Sequence, residues 1–147
     1  MGKNLKSLIV LFKAHSSIEK NIKYSIVDSG LNLNEFTTME ALYTKGTLST
    51  QAIIDTILIP NSSMTYVLEN LLKKGYINRK KDKDDKRVSI ISLTKNGRDT
   101  FEQVYKKHFK HMREVFDSLS SDEEEVLQEL LKRVGKKAEE KLKWDML

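Results

Sequence analysis

The segment that most constrains the fold spans residues 61–93, where a helical pattern runs directly into two short β patterns. Gly75 lies between them, at the position that commonly ends a helix. Extended runs at 76–79 and 88–93 then flank a charged connection. A helix that leads into a β-hairpin is therefore predicted. The apolar face of that helix, at three- and four-residue steps, is Met64, Val67, Leu68, Leu71 and Leu72.

The excess positive charge of the chain lies in the same segment. Residues 73–87 hold eight of the 26 basic residues and three of the 21 acidic ones, which leaves 18 of each sign elsewhere. The net charge of +5 therefore comes entirely from this stretch. A basic hairpin behind a helix with a polar face is typical of a surface that binds a polyanion.

Three helices are predicted before this segment. The first is long and amphipathic and ends near Gly30, and the second begins at residues 33–35 and stops at Gly46. A third helix and the helix of the basic segment are joined by a short turn. Such a pair forms a helix-turn-helix, and a hairpin appended to it is a wing.

Helix caps are predicted from side chains that can accept a backbone hydrogen bond. Ser49 is expected to cap the third helix, and Asn61 or Ser62 the fourth. Thr94 is expected to cap a fifth helix, which carries an apolar stripe. The stretch from Ser121 to Glu124 is expected to form a capping box that starts the last helix.

The chain is thus predicted to be mainly α with a small β-wing, in one domain over residues 1–147. Its fold class is a winged helix-turn-helix with helices added at both ends. The first helix is long for a small domain and lies outside the basic segment. Long terminal helices of this kind often pack on a partner chain.

The composition excludes several classes of site. Because the chain has no cysteine, a thiol switch and a cysteine-based metal or catalytic centre are excluded, and a reducing, cytoplasmic location is expected. The N-terminal apolar run is interrupted by Lys13 and His15, so a signal peptide is not expected. No run approaches the ~20 apolar residues of a membrane span.

Nothing in the sequence indicates an enzyme beyond two histidines. His108 and His111 lie three residues apart on one helix, a spacing that can hold a metal. Without cysteines or well-placed carboxylates nearby, core or interface histidines are favoured over metal ligands. No Ser-His-Asp order, phosphate-binding loop or paired-carboxylate pattern stands out, so no catalytic residue, metal or cofactor is predicted.

The front of the fourth helix offers hydroxyl side chains that suit a DNA groove. Ser62, Ser63, Thr65 and Tyr66 can bind phosphates or base edges, and Tyr66 adds apolar contact to thymine methyl groups. Ser62 or Ser63 alone would more often be a helix cap. Their place at the entry of the second helix of a helix-turn-helix favours DNA contact.

The tip of the wing mixes basic and acidic residues. Asp85 precedes Arg87 by two residues, close enough to orient its guanidinium group for a narrow minor groove, whereas no role is predicted for Asp82 or Asp84. The alternative is a solvated charged loop. Lysines add sequence-independent attraction to phosphates. The expected DNA contacts are Ser62, Ser63, Thr65, Tyr66, Arg79, Lys81, Lys83, Asp85, Lys86 and Arg87.

These elements resemble the MarR family of winged helix-turn-helix transcription regulators. The acidic-x-Arg wing of the family, its strand ending in Leu-Thr and its following Gly-Arg appear at residues 85–87, 88–94 and 97–98. The family's recognition helix ends as residues 71–75 do. Its last helix begins as residues 119–124 do, with one inserted residue.

The resemblance implies a homodimer that binds double-stranded DNA at a palindromic operator, and no membrane partner is expected. Residues 1–30 and 100–147 would form the dimerisation helices, and residues 34–98 the winged helix-turn-helix lobe. Arg87 would enter the minor groove, held by Asp85. The expected function is a sequence-specific, ligand-responsive transcriptional repressor.

The resemblance also implies a small effector that releases the DNA. Residues 57–59, 63–67 and 74–76 are similar to the MhqR-type branch of the family, so a phenolic or quinone-like effector is expected. Ordinary core packing is the alternative for each side chain of such a site. The side chains expected between the dimerisation helices and the winged lobe are Phe12, His15, Phe36, Met39, Tyr43 and Phe109.

Two other non-enzymatic functions stay open from sequence. A winged helix can serve as a protein-interaction module or as a non-specific nucleic-acid binder. The concentration of charge on one wing disfavours the general binder, and an interaction module would not need the lysine cluster.

Overall fold

A computed structural model describes residues 2–57 and 63–145, and these residues form a mainly helical fold with one small sheet. The predicted fold class is confirmed. The helices are α1 (Lys6–Ser25), α2 (Leu33–Lys45), α3 (Thr50–Thr56), α4 (Met64–Lys73), α5 (Lys95–Phe116) and α6 (Ser121–Asp145), with a 3₁₀ turn at Val27–Ser29. The strands are β1 (Leu48–Ser49), β2 (Ile77–Lys81) and β3 (Ser89–Leu93). No helix in the described part of the chain is both long enough and apolar enough to span a bilayer.

The helix-turn-helix is formed by α3 and α4, as predicted. Ser49 caps α3, because its hydroxyl accepts a hydrogen bond from the backbone N–H of Ala52 at 3.1 Å. The expected cap of α4 differs from the structure: Ser63 occupies the N-cap position and its side chain makes no capping hydrogen bond. Asn61 and Ser62 lie outside the described residues. Met64 is already buried in the core, so the packed face of α4 begins there.

The wing is an antiparallel hairpin in a three-stranded sheet with the order β1-β3-β2. Its strands pair from Ile77 opposite Leu93 to Lys81 opposite Ser89. β1 pairs with the other edge of β3, which places Leu48 opposite Ile91. Because β1 immediately precedes α3, this short strand joins the wing to the helix-turn-helix.

One core supports both the helix-turn-helix and the wing. It contains side chains from α2, α3, α4, the sheet and the start of α5. Since interiors are close-packed, these elements hold fixed orientations relative to one another. The largest fully buried apolar side chains are Phe36, Met39, Leu42, Ile53, Leu71, Ile91 and Phe101.

The chain divides into two compact units, Met1–His111 and Met112–Leu147. In the second unit, the guanidinium group of Arg113 donates to both carboxylate oxygens of Glu124, at 2.7 and 2.9 Å. The capping box of α6 lies one residue earlier than predicted, between Ser120 and Glu123. Glu124 is unsuited to that role because its carboxylate binds Arg113.

Helix α5 begins in direct contact with the base of the wing. The Thr94 hydroxyl accepts from the N–H of Gly97 at 2.9 Å, as predicted for a cap, and donates to the carbonyl of Gly75 at 2.7 Å. The N–H of Thr94 donates to the Tyr76 carbonyl at 3.0 Å. A Cβ atom on Gly97 would lie 2.0 Å from that same carbonyl oxygen. Only glycine permits this approach of α5 to the wing.

We expect Gly97→Ala to lower the free energy of unfolding by about 1–3 kcal/mol, because the added methyl group forces α5 away from the Tyr76 carbonyl. Chemical denaturation measures the change. Asn96→Ala, at an exposed position in the same helical turn, serves as the control and should change stability by less than about 0.5 kcal/mol. Equal stability of the two variants would contradict the close approach.

Candidate nucleic-acid interface

Helix α4 presents its hydroxyl side chains to solvent because its other face is buried. Met64, Val67 and Leu68 are buried, and helical periodicity turns the intervening Thr65 and Tyr66 outward. Tyr66 is 66% exposed, so its aromatic ring lies in solvent and not on the core. Ser63 is also exposed at the start of the helix. Ser62, the remaining hydroxyl residue predicted to contact DNA, lies outside the described residues.

The tip of the wing is closed by an aspartate for which the sequence indicated no role. Oδ2 of Asp82 accepts from the N–H of Asp85 at 3.0 Å and more weakly from that of Asp84 at 3.3 Å. The backbone of Asp82 donates to the carbonyl of Val88 at 2.9 Å, and Val88 donates to the carbonyl of Asp85 at 3.0 Å. An aspartate two or three residues before a turn peptide is the sequence signal that predicts such a cap.

The predicted contact between Asp85 and Arg87 is present. Oδ1 of Asp85 accepts from Nε and from the backbone N–H of Arg87, at 3.1 and 3.0 Å, and Oδ2 accepts from Nη2 at 3.2 Å. These hydrogen bonds from Arg87 hold the pKa of Asp85 below its ordinary value of 3.8. The Arg87 side chain is nevertheless 91% exposed. Asp85 therefore orients the guanidinium group without removing it from solvent.

A groove lies between the helix-turn-helix and the wing, and several of the predicted DNA contacts line it. Its volume is about 470 Å³. Thr65, Arg79 and Arg87 all line it, so hydroxyl and guanidinium groups from separate elements face one space. We call it the wing groove. Its lining residues are Ser49, Thr50, Gln51, Thr65, Leu68, Arg79, Arg87, Val88 and Ser89.

The basic residues of the wing differ in their surroundings. Nη2 of Arg79 donates to Oε1 of Glu69 on α4 at 3.3 Å, which ties the wing to the exposed side of that helix. Lys81, Lys83 and Lys86 are exposed on the wing. Sequence reasoning missed the residues at the start of α3. Ser49 was interpreted only as a cap, and nothing local indicates that the turn at Thr50 and Gln51 faces the wing.

Four of the six candidate effector residues are either fully buried or largely exposed. Phe36 and Met39 are fully buried, and the Phe36 ring lies 5.6 Å from Phe101 and 4.8 Å from His108. In contrast, Phe12 on α1 is 66% exposed. His15, on the same helix, is also exposed.

Tyr43 and Phe109 mark the two ends of one aromatic cluster between α2 and α5. The Tyr43 ring lies 4.9 Å from Phe101, which stacks on Tyr105 at 5.5 Å, and Tyr105 lies 6.0 Å from Phe109. Tyr43 donates to Oε1 of Glu102 at 3.0 Å, and this hydrogen bond raises the pKa of Tyr43. The sequence did not single out Phe101 or Tyr105 as effector contacts.

Both histidines of α5 bind α1 rather than each other. Nδ1 of His108 lies 2.9 Å from the hydroxyl of Ser25, and Nε2 of His111 lies 2.8 Å from Oδ1 of Asn21. Burial lowers the pKa of His108, and electrostatic interaction with the nearby His111 lowers it further. Within residues 2–57 and 63–145, no three His, Asp or Glu side chains cluster as a metal site requires.

The sequence of this chain is similar to those of known proteins. The model of the MarR family matches residues 31–89, from the start of α2 into the wing. The HTH-type transcriptional regulator MhqR of Bacillus subtilis (strain 168) is 37% identical over 138 residues, which cover 94% of this chain and 95% of the relative.

Solved structures show the same fold. A putative MarR-like transcription regulator from Bacillus cereus ATCC 10987 superposes with a TM-score of 0.78 and 24% identity, over 92% of this chain and 98% of the other. NadR in complex with 4-hydroxyphenylacetate has a TM-score of 0.75 and 21% identity, over 91% of this chain and 95% of the other.

We expect Arg87→Ala to raise the pKa of Asp85 towards 3.8, because the side-chain hydrogen bonds that stabilise the carboxylate are removed. In the unaltered protein the pair is intact above pH 3.8 and is lost as the pH falls through the lowered pKa of Asp85. NMR titration of the side-chain carboxyl carbon measures this pKa. Lys83→Ala removes a charge from the same loop and should shift it less. An unchanged pKa in Arg87→Ala would contradict the pairing.

Proposed function

Because the chain belongs to the MarR family of DNA-binding transcriptional regulators, we propose that it is a homodimeric repressor that reads a palindromic operator and releases it when a small aromatic effector binds. The winged helix-turn-helix supplies the DNA-binding surface. In the proposed mechanism, the dimer occupies half-sites about one helical turn apart and thereby blocks RNA polymerase. Membrane association forms no part of this function.

The observation that carries this proposal is the arrangement of Arg87 beside the exposed face of α4. A duplex that receives α4 in its major groove places its backbone and adjacent minor groove next to the wing. The guanidinium group of Arg87, held by Asp85 and still 91% exposed, suits the focused negative potential of a narrow minor groove. Ser63, Thr65 and Tyr66 would then meet base edges and phosphates.

The other basic residues supply attraction that does not depend on sequence. Arg79, Lys81, Lys83 and Lys86 lie on or beside the wing, where each phosphate contact releases counterions from DNA. Arg79 is also paired with Glu69, so we assign it a smaller share of that attraction than the exposed lysines.

Homodimerisation is supported by large apolar side chains that are exposed on two helices of the described chain. On α1, residues 8–12 are apolar on every side of the helix, and all five are exposed. A helix that is apolar all round is normally buried. On α6, Val126, Leu130, Leu131 and Val134 are also exposed. We assign residues 1–30 and 100–147 to the dimer interface, and residues 34–98 to the DNA-binding lobe.

The aromatic cluster between α2 and α5 supports an effector with an aromatic ring. Tyr43 and Phe109 lie at its two ends, and Phe36 and Met39 are buried in the core against which it packs. In a dimer, Phe12 and His15 of α1 are available to complete the site. NadR, a protein of the same fold, is known in complex with the phenol 4-hydroxyphenylacetate. We therefore propose a phenolic or quinone-like effector, which acts through different affinities for the DNA-bound and free dimers.

We expect Arg87→Ala to weaken binding to a selected operator by about tenfold or more, since loss of one specific arginine contact costs about 1–3 kcal/mol. Gel shifts at fixed salt measure the affinity, and sedimentation checks that the variant remains a folded dimer. Lys45→Ala, which removes an exposed charge from the end of α2, is the matched control. Equal affinities of Arg87→Ala and the control would refute the role of Arg87.

We expect Tyr66→Ala to change which sequences are selected from a random DNA pool, because Tyr66 contacts bases from α4. Lys81→Ala removes a phosphate contact and should weaken binding similarly for all sequences. Sequencing of the bound pools compares the two variants. A uniform loss of affinity for both would argue against base reading by Tyr66.

A further inference from the structure

One lysine of the basic segment points away from the proposed DNA surface. Lys74 is the C-cap residue of α4, followed by Gly75 with a φ of 76°. Its Nζ donates to Oε2 of Glu35 at 2.8 Å and to the carbonyl of Gly30 at 2.9 Å. Lys74 thus joins the end of α4 to the turn between α1 and α2.

The acceptor of this contact is buried. Glu35 is 3% exposed, and its second carboxylate oxygen accepts from the N–H of Asn32 at 3.0 Å in the capping box of α2. A buried carboxylate is costly unless it is paired and hydrogen-bonded. Both oxygens of Glu35 are satisfied, one by the start of α2 and the other by the end of α4. The pair therefore has a defined geometry, unlike a solvated surface ion pair.

The position of this contact matters for the opposite end of α4. Tyr66 lies about 12 Å along the helix axis from Lys74, at about 1.5 Å per residue. Beyond the packing of its apolar face, three side-chain contacts fix α4 among the described residues. The Thr38 hydroxyl donates to Sδ of Met64 at 4.0 Å at its start, Glu69 accepts from Arg79, and Lys74 binds Glu35 at its end. Loss of the Lys74 contact would let the C-terminal end of α4 shift, which tilts the exposed face that carries Thr65 and Tyr66.

We propose that Lys74 is a positioning residue for DNA reading, which holds α4 on Glu35 and the Gly30 carbonyl and does not bind phosphate. This inference rests on the proposed reading of DNA by α4. The neighbouring Lys73 provides a direct comparison. It is exposed and has no ion-pair partner among the residues that the structure describes.

The decisive variant is Glu35→Gln, because simple electrostatics and positioning predict opposite results. Replacing a buried carboxylate by an amide makes the chain more positive, which favours DNA binding. Asn32 and Lys74 donate to different oxygens of Glu35, and a glutamine replaces one of these oxygens by an NH2 group that can only donate, so one of the two contacts is lost. Positioning therefore predicts weaker binding, although Glu35 is too buried to contact DNA.

The experiment compares the full-length protein with Glu35→Gln, Lys74→Met, the double variant and Lys73→Met. Affinity for a selected operator is measured at several salt concentrations, below the unfolding temperature of every variant. We expect Glu35→Gln and Lys74→Met each to bind about fivefold more weakly, within the range known for substitutions remote from a ligand. The double variant should bind no more weakly than Lys74→Met, since both changes break one contact.

The salt dependence separates positioning from phosphate binding. Loss of a phosphate contact makes the negative slope of log K against log salt less steep by about 0.9 per contact, whereas the slope of Lys74→Met should equal that of the unaltered protein. A less steep slope for Lys74→Met would overturn the inference, as would unchanged or tighter binding by Glu35→Gln. If Lys74→Met does not fold, Glu35→Gln decides alone.

Failure of the proposed function is visible separately in the same assay. If the unaltered protein does not prefer the selected operator over random DNA, sequence reading itself is refuted, and the inference falls with it. If the unaltered protein has that preference and Glu35→Gln binds as tightly, only the role of Lys74 is refuted.

Discussion

The packing of one face of α4 on the core is the contact on which the candidate interface depends. Val67, Leu68 and Leu71 are buried, and the geometry of a helix then turns Thr65 and Tyr66 to solvent. The wing uses the same core through Ile77 and Ile91. Helix α4 and the wing therefore have a fixed spacing, which the proposed binding to a rigid duplex with regularly spaced grooves requires.

The acidic residues of the wing weaken its attraction for a polyanion, but they fix the conformation of the turn and of Arg87. Asp82 and Asp85 each reduce the attraction of the wing for a polyanion. In return, Asp82 closes the turn through two backbone N–H groups, and Asp85 holds Arg87 through three hydrogen bonds. A flexible arginine loses side-chain entropy when it enters a groove, and an arginine that is already oriented loses less.

The links between α1, α2, α4 and α5 give the proposed effector a route to the proposed DNA surface. His108 and His111 bind the end of α1, the aromatic cluster packs α5 on α2, and Lys74 ties α4 to the turn between α1 and α2. A ligand in the aromatic cluster would press on α2 and α5 together. Movement of α2 relative to α4 would then act directly on the contact between Glu35 and Lys74.

The sequence by itself determined the helix-turn-helix, the wing, the caps at Ser49 and Thr94, and the pairing of Asp85 with Arg87. The caps and the ion pair each join residues two or three positions apart, where backbone geometry limits the possible partners. The helix-turn-helix and the wing follow from hydrophobic periodicity and turn residues in consecutive segments. Only the tertiary structure decided that α4 begins at Met64, that Glu123 rather than Glu124 caps α6, and that Lys74 faces Glu35. These outcomes depend on which distant groups packing brings together, such as Glu124 with Arg113 or Glu35 with a lysine 39 residues later, and no local pattern encodes such a meeting.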